Sequence, residues 1–296
     1  MGVARELETG ELDDWIASGQ PYYYIAHQMA VDQSNKTTPI RVVFNSSQKF
    51  AGRSLNRSWS LGPDLVANLQ VVLLRFRSDV IRAQGVLQKT IYMINVSKPE
   101  EMMQLWFWKF KGENTIRTFS MTRLVMRNRP SSNISVLAVR ESTNLQDFRV
   151  RYPDACKTLL RDSYVDNVFV TAPNIEVLFE RIGEVEEIAS AGGFKFKPWM
   201  VSGEINVDET LIPVGCCDVE KVLGMYWDTQ SDKYFVKLEI SSDDWKILFG
   251  SAPSSSGPHV VDAKDMPIPK SLPLRLTLRI SLSLHSRIFD LYCQPG

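Results

Sequence analysis

Apolar and polar positions follow two rhythms along this chain. Between Leu65 and Arg77 the apolar residues Leu65, Leu69, Val72, Leu73 and Phe76 recur at steps of three and four. That spacing lines one face of a helix and predicts an amphipathic helix over 65–77. A shorter helix is predicted over Leu12–Ala17. Three more are marked by their ends. Pro130-Ser131-Ser132 opens one that runs to Glu141, and Pro153-Asp154 opens one that ends near Arg161. Asn174 caps a third, which reaches Ala191 before Gly192-Gly193.

Elsewhere short runs rich in β-branched and aromatic residues predict strands. These are Pro39–Asn45, Ile94–Val96, Met103–Phe110, Ile116–Met126, Phe194–Val201, Val222–Asp228 and Tyr234–Ile240. Ser163–Thr171 reads as a hairpin, with its turn at Asp166-Asn167, because Asp and Asn tolerate positive φ. Gly62-Pro63-Asp64 marks a turn or helix start, and residues 251–274, rich in Pro and Ser, a loop or linker. No internal repeat or heptad run occurs. Helices and strands alternate without a strict βαβ rhythm, which predicts an α+β fold with a mostly antiparallel sheet packed on helices.

Composition sharpens this picture. With 296 residues and 44% hydrophobic content the chain can bury a sizeable core. No apolar run is long enough for a transmembrane helix, and the acidic start lacks a secretory h-region. Glu6 stands where N-myristoylation wants Ser or Thr. Cys156, Cys216, Cys217 and Cys293 lack C-x-x-C spacing, and His27, His259 and His285 are scattered. A zinc site is therefore not expected, and a reduced setting, cytoplasm or nucleus, is. The net charge of zero hides an asymmetry. Residues 36–151 hold 19 Lys/Arg and 7 Asp/Glu, leaving 15 and 27 of the 34 of each for the remainder. Such a basic half suits a polyanion, although an unevenly charged solvated surface would look the same.

The segment Asp162-Ser163-Tyr164-Val165-Asp166-Asn167 carries the chemistry. Its Tyr-Val-Asp-Asn resembles the Tyr-x-Asp-Asp hairpin of reverse transcriptases, where clustered aspartates hold two metal ions. Further pieces follow in order: Tyr23 to His27, Lys36 to Phe44, Gly52 to Asn56, Leu61 to Leu65, Leu73 to Arg77, Arg129 to Ser132, Gly192-Gly193-Phe194 with Trp199, Val222 to Asp228, and Ile288 to Asp290. Together they resemble the reverse transcriptase region of Bel/Pao-type long-terminal-repeat retrotransposon polyproteins over roughly residues 10–292.

The resemblance implies a fingers–palm fold and RNA-directed DNA synthesis on a primer–template, with Mg²⁺ as the ancestral cofactor. It divides the chain into an acidic segment (1–20), a fingers-like region (21–80), a palm-like region (81–245) and a Pro/Ser-rich linker with part of a post-polymerase segment (246–296). By that likeness Arg41 contacts the triphosphate, and Asp166 is a catalytic metal ligand. Lys195 or Lys197 faces the leaving phosphate, and Trp227 belongs to a primer-gripping strand or, equally, to a packed core strand. Arg53 and Arg127 join Arg41 as nucleic-acid contacts.

Departures from the family pattern are as informative. Aligned on Lys89 and Ile94–Val96, the first catalytic aspartate becomes Val86, and the third becomes Asn167. Arg127 stands where the family has glycine, and Asn45 where it has aspartate. One carboxylate cannot balance two Mg²⁺ ions and a triphosphate. The expectation is a catalytically inactive domain that retains no metal and binds nucleic acid through residues 36–151. The alternatives are an interaction protein without nucleic-acid function, and a polymerase with a rearranged site at Asp79, Asp162 and Asp166.

Overall fold

Every strand ladder among the described residues is antiparallel. The structure, a computed structural model, describes residues 2–33, 39–202, 219–223 and 225–235. The chain divides into two compact units, one of Met1–Val201 with Val207–Gly215 and one of Ser202–Asn206 with Cys216–Gly296. The predictions for Tyr234–Ile240 beyond Phe235, for residues 251–274 and for the tail to Asp290 lie outside the described residues.

In the first unit the order is β1 (Ala4–Glu6), α1 (Glu11–Ala17), β2 (Ala26–Val31), β3 (Ile40–Asn45), α2 (Leu55–Ser58), α3 (Leu69–Arg75), β4 (Ile81–Val86) and a 3-10 turn over Thr90–Met93. There follow α4 (Lys98–Met102), β5 (Leu105–Trp108), β6 (Arg117–Met121), α5 (Ser131–Ser142), α6 (Phe148–Arg151), α7 (Pro153–Arg161), β7 (Ser163–Tyr164), β8 (Asn167–Ala172), α8 (Ile175–Ala191) and β9 (Met200–Val201). They form a β2–β3 ribbon, a three-stranded sheet β1-β6-β5 and a four-stranded sheet β7-β8-β4-β9. Ile25, Phe44, Leu55, Met121 and Val125 make a core between ribbon and three-stranded sheet. The second unit shows a meander of β10 (Val219–Val222), β11 (Met225–Asp228) and β12 (Lys233–Phe235).

Several elements differ from the sequence reading. The helix expected over 65–77 begins only at Leu69, because the Asn68 side chain caps it by accepting from the N–H groups of Gln70 and Val71. Residues 194–201 contribute just the two-residue β9 and one bridge, Leu87 to Phe196. Ile94–Val96 supplies a single bridge, Asn95 to Arg123. The run 222–228 is not one strand, since Val222 pairs with Met225 across a tight turn. β4 was not foreseen, because Ile-Arg-Ala-Gln-Gly-Val lacks the apolar run expected of a buried strand.

Candidate functional site

β4 is one of the two inner strands of the four-stranded sheet, and its side chains alternate between two faces. On one face lie Ala83 and Gly85. An ideal Cβ on Gly85 would come within 2.6 Å of the Trp199 ring, so only glycine allows that indole to lie against the strand. Trp199 is fully buried, and its Nε1 donates to Glu186 of α8 at 2.8 Å. The other face carries Arg82, Gln84 and Val86. Their cross-strand partners on β8 are Thr171, Phe169 and Asn167. Phe76, just past α3, packs its ring on Phe169 at 4.8 Å.

The β7–β8 hairpin brings the motif to this sheet. Tyr164 pairs with Asn167, so the turn is centred on Val165-Asp166, one residue earlier than the sequence suggested. Val165 adopts φ 56°, a left-handed conformation unfavourable for a β-branched residue. Ladder bonds on both sides hold it there, and the Asp166 carbonyl accepts from Leu87 N–H at 2.8 Å.

Val86 and Asn167 are direct cross-strand partners, with Asp166 next to them. Val86 offers no ligating atom. The Asn167 amide faces two ways: its Oδ1 accepts from Gln84 Nε2 at 2.8 Å, and its Nδ2 donates to Asp166 Oδ1 at 3.0 Å. Gln84 is only 1% exposed, and its Oε1 has no hydrogen-bond partner. Burial pushes the Asp166 carboxyl above the ordinary carboxylate range, against the opposing attraction of the Lys197 ammonium. The backbone of Lys197 is bound to β4, its N–H donating to the Val86 carbonyl at 2.9 Å, and Lys195 accepts from Gln88 N–H at 2.7 Å. Both lysine side chains are exposed.

This donor set does not fit a two-metal centre. Mg²⁺ needs hard oxygen ligands in octahedral array. Here one carboxylate is available, and an amide N–H already points at it. Among the described residues no three His, Cys, Asp or Glu side chains cluster as a metal site. The rearranged trio does not converge either. Asp79 accepts from Thr171 at 2.8 Å, four residues along β8 from Asn167, or about 13 Å. Asp162 lies 3.5 Å from Arg75, and burial raises its carboxyl also.

The remaining candidates are dispersed. Arg41 is exposed on β3. Arg53 is exposed in the turn before α2, and Arg127, exposed with φ 69°, is held by Asn56 Nδ2 donating to its carbonyl at 3.0 Å. Trp227, assigned by resemblance to nucleic acid, is fully buried in the second unit, with its Nε1 donating to Asp232 at 3.1 Å. Its ring is packed rather than presented. Gln84 was missed. Its signal is a lone amide on the same strand face as Val86, which becomes visible only when β4 is recognised as a strand.

No family model and no curated protein sequence matches the chain. Among solved structures, the foamy viral protease–reverse transcriptase in complex with an RNA/DNA hybrid matches with a TM-score of 0.50 at 11% identity, covering 82% of this chain and 28% of that one. Native prototype foamy virus protease–reverse transcriptase follows at 0.48 and 11%, covering 78% and 26%. A foamy viral protease–reverse transcriptase in complex with double-stranded DNA gives 0.47 and 11%, covering 83% and 36%. The chain thus spans under a third of the length of the first of these proteins. At the level of its fold, this chain is reverse-transcriptase-like.

Proposed function

We propose that this chain is a reverse-transcriptase domain of Bel/Pao descent that no longer polymerises and that holds nucleic acid through its basic half. The observation that carries the reading is the Val86–Asn167 pair. At the place where the resemblance expects two carboxylates there is an isopropyl group and an amide, and the amide is hydrogen-bonded to Asp166, the one acid beside them. Positioning alone does not transfer a phosphoryl group. The charge that develops in the transition state needs the metal ions, and the metal ions need anionic oxygens. In this reading residues 21–80 are fingers-like and 81–245 palm-like. The setting is intracellular, no Mg²⁺ is retained, and the ligand is an RNA or DNA primer–template gripped mainly by its phosphates.

Primer extension with Mg²⁺ or Mn²⁺ tests the catalytic half of the proposal. The wild-type chain is expected to yield no product, and extension by the wild type overturns it. Binding of a labelled primer–template tests the other half. Affinity is expected to fall steeply between low and high salt, because phosphate contacts release counterions. An affinity that does not change with salt removes this mode of binding.

A further inference from the structure

Two segments of the first unit carry cations and no acid at all. Between Pro39 and Pro63 there are four, Arg41, Lys49, Arg53 and Arg57, and no Asp or Glu. Between Thr122 and Arg140 there are Arg123, Arg127, Arg129 and Arg140, again with no acid. Asn56 joins the two segments. Its Nδ2 donates to the Arg127 carbonyl at 3.0 Å, and its Oδ1 accepts from Arg129 N–H at 2.8 Å. Beneath them Ser46 donates to Asn128, and Asn128 Nδ2 donates to Gln104 at 2.7 Å, all three residues being buried. One rigid patch therefore holds Arg53, Arg57, Arg127 and Arg129, all exposed.

Beside this patch a tight turn displays Phe50. Phe50 and Arg53 exchange two backbone hydrogen bonds, N–H to carbonyl at 2.8 and 3.0 Å. The central residues Ala51 and Gly52 have φ 48° and 78°, the pattern of a type I′ turn. Alanine there is strained, so the turn is held by its surroundings. The Tyr23 hydroxyl donates to the carbonyls of Gln48 and Arg53 at 3.3 and 3.4 Å. The Phe50 ring is 81% exposed. A single exposed apolar residue is ordinary on a protein surface. A phenyl ring presented on a held turn and flanked by Lys49 and Arg53, in a stretch of chain without acids, combines the two components of single-strand recognition: a stacking face and backbone-tracking cations. A base inside a duplex is already covered above and below, so a protruding ring stacks at least cost where bases are unpaired; using it on a duplex requires unstacking a base step.

We propose that the Phe50–Arg53 turn and the arginines around Asn56 form a binding site for single-stranded nucleic acid. One base stacks on Phe50, and phosphates lie on Lys49, Arg53, Arg57, Arg127 and Arg129. The proposal rests on the reading that the basic half holds nucleic acid, and adds where and in which strand state.

The test is fluorescence anisotropy of the full chain with a labelled oligothymidylate and with a blunt duplex of equal length, at low and at high salt. Phe50→Ala is expected to weaken oligothymidylate binding roughly tenfold, with duplex binding unchanged. Phe50→Trp is expected to keep the single-strand affinity. Salt-dependent wild-type binding that Phe50→Ala lowers equally for both probes, or for neither, overturns this site while leaving the broader reading intact. Wild type that binds neither probe overturns both.

Discussion

The Tyr164–Asn167 turn and the Phe50–Arg53 turn both present polar groups beside a strained tight turn, and they use them in opposite ways. At the first, the polar atoms are half-buried and directed at one another: Gln84 to Asn167, and Asn167 to Asp166. At the second, Lys49, Arg53, Arg57, Arg127 and Arg129 are exposed and take part in no ion pair among the described residues. Polar groups satisfied internally contribute to folding and are unavailable to a ligand. Exposed cations without acids contribute little to folding and remain available to an anion. A third region shows what pairing does to such cations. Arg5 binds both Glu11 and Glu101, Lys98 binds Glu11, and Ser120 donates to Glu101 at 2.6 Å. The Arg5 hydrogen bond holds the Glu11 carboxyl well below the usual carboxylate range. That cluster ties β1 and α1 to α4, and α4 in turn to β6.

The contrast can be broken most sharply at the floor beneath the first turn. Trp199→Ala removes a fully buried indole and leaves Glu186 without its donor, and it should cost about 3–5 kcal/mol in urea unfolding. A loss under about 1 kcal/mol would mean that the hairpin does not depend on this packing. Next in size, Gln84→Ala leaves the half-buried Asn167 Oδ1 without its donor and should cost about 1–3 kcal/mol. It should leave nucleic-acid affinity unchanged, and a loss of affinity would place the first turn in the ligand-binding surface.

The complementary experiment is the double variant Arg53→Ala, Arg57→Ala. Its stability should stay within about 0.5 kcal/mol of wild type, as for surface substitutions generally. Its single-strand binding should show a salt slope shallower by about 1.4, for two lost phosphate contacts. An unchanged slope would remove these arginines from the site.

The smallest expected effect is a pH dependence at the first turn. Burial raises the Asp166 carboxyl, so the native state keeps that proton to a higher pH than the unfolded chain. Its contribution favours folding at acid pH, below the unfolded value, and is lost as pH rises through the native one. Asp166→Asn keeps an acceptor for the Asn167 amide and removes the ionisation. The variant should match the wild type in acid and exceed it in stability near neutrality. The reverse order would show that attraction to Lys197 outweighs burial.

Much of this was legible in the residues. Helices α5, α7 and α8 fall where capping and breaking residues placed them, within one or two positions, and α1 starts one residue before its expected range. Local chemistry decides such ends, and the chain carries it in adjacent letters. The Tyr164–Asn167 hairpin was legible too, but its turn was displaced by one residue. Asp and Asn are the residues that ordinarily accept positive φ, yet cross-strand pairing placed Val165 there instead. The Phe50 turn escaped notice because Phe-Ala-Gly-Arg carries only one turn residue, and a second segment 70 residues away completes its charged surroundings.

The sequence by itself determined the antiparallel α+β class, the ends of α5, α7 and α8, the uneven charge and the absence of carboxylates at Val86 and Asn167. These follow from composition, periodicity and residue identity. Tertiary structure alone decided that Val86 faces Asn167, that Gln84 completes their hydrogen-bond chain, that Trp227 is packed rather than presented, and that Asn56 brings two basic segments onto one surface. The physical reason is common to all four. Strand register and long-range hydrogen bonds depend on which distant groups satisfy one another on burial, and no local pattern encodes that choice.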